Sequence, residues 1–145
     1  MRPKNERASF LIVVAMITLA LVTSPAVADT TTFTADLNGD SQVPPTDSKA
    51  KGKGQFLYDH KSKKLSWTIT YWGVSAKAAH LHGRASEGAN ADKMITVSPL
   101  QSPIKGAAIL TENQVKALIG GDMYIDVHSA KYPDGEIRGQ LKPAS

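Results

Sequence analysis

The sequence predicts an all-β domain, an antiparallel sandwich or barrel with one short helix near residues 111–119. Three observations lead there. In stretch after stretch, apolar residues alternate with polar ones at the period of two that a half-buried strand requires. Turn-forming clusters recur every ten residues or so. A single segment places apolar residues at helical spacing, and it carries its own start and stop signals.

Phe33, Ala35 and Leu37 alternate with Thr32, Thr34 and Asp36 as one strand, which Asn38-Gly39-Asp40 and Pro44-Pro45 end. Gln55–Tyr58 is a second, followed by a polar turn over 59–64. From Leu65 to Trp72 the pattern is clearest, with Leu65, Trp67, Ile69 and Tyr71 on one face and Ser66, Thr68 and Thr70 on the other. Ala78–Gly83 and Met94–Val97 follow. Thr111 can then cap a helix, with Gln114 at the capping-box position. Val115, Leu118 and Ile119 form its apolar stripe, and Gly120-Gly121 stops it. Met123–His128 reads as a strand, Tyr132-Pro133-Asp134-Gly135 as a hairpin turn, and Glu136–Leu141 as the last strand.

Residues 1–28 read as a secretory signal. Arg2, Lys4 and Arg7 precede an uncharged apolar run over 8–22, and Ala26-Val27-Ala28 offers a cleavage site. That run falls short of the about 20 residues that span a bilayer, so no stable membrane anchor is expected after cleavage. A single domain over 29–145 would then be exported, to periplasm or medium. Its charge would be 14 bases against 12 acids, below the +4 of the whole chain. Such a weak balance, with lysines in turns and no interleaved aromatics, argues against nucleic-acid binding. The chain has no cysteine, which excludes disulfides, thiol catalysis and thiolate metal sites.

The chemistry-bearing residues lie in two signatures, His80-Leu81-His82-Gly83 and Tyr124-Ile125-Asp126-Val127-His128. Strand alternation puts His80 and His82 on one face, opposite Leu81. It likewise groups Tyr124, Asp126 and His128 away from Ile125 and Val127, and Glu136, Arg138 and Gln140 away from Ile137 and Leu141. The polar sets are therefore expected on the outer, solvated face of the sheet. His80, His82 and His128 form a candidate three-histidine site for copper or zinc, ions that neutral imidazole suits. Asp126 or Glu136 can orient a histidine through its far nitrogen, and Tyr124 lies on the same face. Glu136 and Arg138, two apart, can pair with each other, or Arg138 can grip a carboxylate ligand. His60 sits in a lysine-rich turn and is expected in solvent. Asp36, Asn38, Asp40 and Asp47 have calcium-loop spacing, but Ser41 replaces the required glycine and no helices flank them, so they read as a capped turn. No serine triad, nucleophile elbow, phosphate loop or HExxH helix occurs.

Leu37-Asn38-Gly39 with Val43-Pro44-Pro45, Leu65-Ser66-Trp67, Ala79-His80-Leu81-His82-Gly83, Leu110-Thr111, Tyr124–His128 and Gly135–Leu141 together resemble the CHRD domain. That module is repeated in chordin and found singly in exported bacterial proteins. The likeness spans residues 33–141, with one departure at Asn90-Ala91, where the family has Asn-Gly. It implies an immunoglobulin-like antiparallel β-fold and places the His80 strand beside the Tyr124 hairpin. The HxH strand is also similar to the copper-binding strand of copper/zinc superoxide dismutases. Three functions are expected in order: an exported metal-binding protein without chemistry of its own; a structural or adhesive module that contacts an extracellular protein or polymer; and a superoxide-dismutase-like copper enzyme.

Overall fold

The computed structural model describes residues 29–145; the leader expected over 1–28 lies outside the described residues. Nine strands and one helix run in the order β1 (Thr30–Asn38), β2 (Lys51–Asp59), β3 (Lys64–Trp72), β4 (Ala76–His82), β5 (Lys93–Thr96), β6 (Ile104–Ile109), α1 (Glu112–Ile119), β7 (Tyr124–Ser129), β8 (Ile137–Gln140) and β9 (Lys142–Pro143). The strands make one sheet in the order β5-β4-β7-β8-β1-β2-β3-β6, with β9 against β1. Neighbours pair antiparallel throughout. The expected antiparallel β-fold takes the form of a sheet curled into a half-barrel around its apolar face.

Parity decides the core. Phe33, Ala35 and Leu37 of β1, Leu65, Trp67 and Ile69 of β3, and Ile125 and Val127 of β7 are all buried, on the faces their alternation requires. β6 has no counterpart among the sequence expectations. After Ile104 its inward positions are the small Gly106 and Ala108, and at Gly106 the Trp67 indole takes the space: a Cβ there would lie 2.8 Å from Trp67 Nε1. That gap in apolar side chains hides the strand from a periodicity reading.

The helix begins at Thr111, whose hydroxyl accepts from Gln114 N while the Gln114 side chain accepts from Thr111 N, completing the capping box. Gly120 closes it. The buried face is rotated from the expected stripe by about one residue. Ala117 and Leu118 are fully buried, Val115 is half-buried, and Ile119 is exposed. The packing of α1 also explains the glycine of His80-Leu81-His82-Gly83. A Cβ at Gly83 would lie 3.1 Å from Ala117 Cβ and 3.2 Å from the Asp122 carbonyl oxygen. Thr111→Ala removes the cap without touching the core and is expected to cost about 1 kcal/mol. Denaturant titration should show this as a lower midpoint with an unchanged slope.

Candidate metal centre

The register of β4, β7 and β8 assembles the site. His80 faces Asp126, His82 faces Tyr124 and Ala78 faces His128 across β4 and β7. Across β7 and β8, Asp126 faces Arg138 and Tyr124 faces Gln140. The two signatures, more than forty residues apart in sequence, are thus adjacent rows of one ladder.

His80, His82, Asp126 and His128 each turn one ligand atom to a common point, and these atoms all lie within 4.8 Å of one another. His80 Nδ1 is 3.1 Å from His128 Nε2. Asp126 Oδ1 lies 2.9 Å from His128 Nε2, 3.2 Å from His82 Nε2 and 4.0 Å from His80 Nδ1. Tetrahedral zinc bound at about 2.1 Å holds its donors about 3.4 Å apart, so the closest pairs already fit and the widest must draw in by about 1.4 Å. The carboxylate expected only to orient a histidine stands among the donors themselves. His60 lies elsewhere, exposed, with its Nε2 2.7 Å from Thr31 Oγ1.

Backbone carbonyls orient two of the rings. His82 Nδ1 is 2.9 Å from the Ala91 carbonyl oxygen, and His128 Nδ1 is 2.7 Å from that of Pro133. A carbonyl only accepts, so each Nδ1 is assigned the proton. In a neutral ring the inner Nε2 is then a lone pair, and both inner nitrogens face Asp126 Oδ1. Lone pair against carboxylate is repulsive unless a cation lies between them. His82 Nε2 is fully buried and makes no hydrogen bond. The group thus gathers four acceptors with too few protons, which is what a metal ion requires.

The rings feel this crowding differently. Burial, with His128 adding to it, pushes the His80 imidazole below its ordinary range. When His128 is protonated at both nitrogens its Nε2–H donates to Asp126, and that bond raises its pKa despite its burial. Burial alone would lift the Asp126 carboxyl, but the imidazoles of His128 and His82 outweigh it and hold that group low.

The remaining expected residues serve other ends. Tyr124 stacks on His82, with ring centroids 4.8 Å apart and planes 2° apart, and its hydroxyl accepts from Ala91 N at 3.1 Å. Arg138 and Glu136 do not pair. Glu136 precedes β8 and accepts from Ser48 Oγ at 2.6 Å, while Arg138 bonds to Ser86, Ala89, Asn90 and Gln140. The outer face of β7 and β8 is also not wet. Arg138 is 1 % exposed because the loop over residues 83–92 covers it, and Asp126 is 3 % exposed among the three imidazoles. The polar parity was correct, but alternation along a strand carries no information about a loop folded over it. The acidic turn is the expected capped one: Asn38 Oδ1 accepts from Ser41 N at 2.9 Å, and Asp47 turns to Tyr132.

Comparison with curated proteins and with solved structures finds no match. A family model does match, that of the CHRD domain, over residues 33–141. That stretch contains both histidine signatures and nearly the whole sheet, and the chain therefore belongs to the CHRD domain family.

Proposed function

We propose that this chain is an exported metal-binding protein that captures zinc or copper through His80, His82, Asp126 and His128 and does no chemistry of its own. The observation that carries this reading is the buried, unbonded His82 Nε2, locked by the Ala91 carbonyl with its lone pair toward Asp126. Three neutral imidazoles and one carboxylate suit either ion. The leader-like residues 1–28 support export, where such ions are met outside the reducing interior. The adhesive reading draws on Trp72, half exposed at the end of β3. It makes no use of the clustered donors.

Melting temperature, read while the metal-free domain is titrated with Zn(II) or Cu(II), tests the proposal. An ion bound only by the native state at one hundred times its Kd adds about 2.7 kcal/mol. In a domain of this size that raises Tm by roughly 10 °C. An unmoved Tm at high micromolar metal rejects it and leaves the adhesive module standing.

A further inference from the structure

Arg138 is the largest side chain buried to this degree, yet no carboxylate lies within ion-pair distance of it among the described residues. A buried guanidinium must be compensated somewhere. Here the compensation comes from the loop above. Nη1 donates to the Ala89 carbonyl at 2.8 Å and to Asn90 Oδ1 at 3.2 Å, and Nη2 donates to the Ser86 carbonyl at 3.3 Å. The Tyr124 ring lies beneath, 3.5 Å from Cζ to centroid. Residues 86–90 are otherwise exposed, so few contacts from the solvent side hold this stretch down.

The next residue after this grip is Ala91, whose carbonyl bonds His82 Nδ1 and whose N–H bonds the Tyr124 hydroxyl. One peptide unit therefore separates the arginine's hold on the loop from the loop's hold on a ligand ring. We infer that Arg138 is a positioning residue of the metal site, fixing through residues 86–91 the tautomer and orientation in which His82 presents Nε2. This rests on the metal-binding reading above. Charge alone does not account for Arg138: Asp126, opposite it in the ladder, favours a cation there, but that cation also repels the ion the site is meant to hold. Its planar fork, which reaches separate carbonyls at once, is what the position uses, and lysine lacks it.

Arg138→Lys keeps the charge and removes the fork, so it is the informative variant. Two readouts apply. Nitrogen-15 NMR of the metal-free protein at about pH 8, where ordinary imidazoles are neutral, reports the His82 tautomer. Competition against a chelating dye reports zinc affinity. In the wild type His82 should be held in the Nδ1–H form. In Arg138→Lys it should become a mixture of tautomers, and zinc should bind about tenfold more weakly, as when other groups that orient a ligand are lost. Asn90→Ala, at an exposed position, removes one strand of the same tether and should move both readouts the same way by less. It serves in place of Arg138→Lys should that variant not fold. A tautomer or an affinity that stays at the wild-type value overturns the inference. If the wild type takes up no zinc while its His82 tautomer still follows Arg138, the metal reading fails and the tether stands.

Discussion

His82→Ala should abolish most of the metal-dependent rise in melting temperature while leaving a folded domain. The lost ring is the one whose inner nitrogen has no other partner. Three donors remain, so zinc affinity should fall by more than about 100-fold, beyond what loss of an outer orienting group does. At a zinc concentration that gives the wild type about 2.7 kcal/mol, the variant then retains about 0.4 kcal/mol or less. The metal-free variant loses its stack on Tyr124, worth about 1 kcal/mol. It also loses the opposition between the Nε2 lone pair and Asp126. Its own Tm should therefore shift little, and calorimetry with and without zinc separates the two effects. A variant that keeps the full zinc response would place the ion somewhere other than this cluster.

The second large effect is a dependence on pH that bound metal steepens. Every imidazole must give up its proton before its nitrogen can ligate, so acidification competes with the metal. Each proton displaced weakens binding about tenfold per pH unit once the ring is protonated, or about 1.4 kcal/mol. Zinc stabilisation measured at about pH 7.5 should be largely gone by about pH 5. In the metal-free chain the two shifted histidines oppose each other. His128 has a folded pKa above its unfolded one, so its bond to Asp126 stabilises the fold below about pH 6.5 and fades as pH rises through the raised value. His80 has a lowered folded pKa, so it penalises the fold as pH drops below about 6.5. The depressed Asp126 carboxyl contributes stability that is lost only below the carboxylate range, outside this window. The two contributions have opposite signs, so melting curves across about pH 5 to 8 should slope more steeply with metal than without it. Equal slopes would mean that no proton is displaced by the ion.

Much of this was legible in the residues. Period-two alternation located β1, β3, β7 and β8 to within a residue or two at their ends, and the Thr111–Gln114 pair fixed the helix start. β6 was not legible, because Gly106 and Ala108 stand where a strand usually shows bulky apolar groups. Spacing put His80 and His82 on one face, and the family resemblance set the His128 strand beside them; that Asp126 joins the cluster was not expected. Its role depends on which residue lies across the ladder from His80, a fact of register between strands separated by more than forty residues. The pairing expected of Glu136 with Arg138 failed for a local reason: Glu136 lies just before β8, and while its N–H still donates to the Val127 carbonyl, its side chain turns to Ser48. What lay furthest from view was the cover. Residues 83–92 have no periodicity, and their work is done by carbonyl groups that every residue possesses.

The place of β8 against β1 has a bearing on timing. The two meet at Asn38 and Arg138, so closing the sheet joins opposite ends of the domain. Such distant pairings fold slowly, since chain entropy is surrendered before the contacts that offset it exist. A chain synthesised only as far as α1 owns two of the four donors, and half a chelate holds no ion firmly. On the metal-binding reading, capture would therefore wait until β7 has been made and paired with β4, and a loaded ion would mark a chain in which that pairing exists.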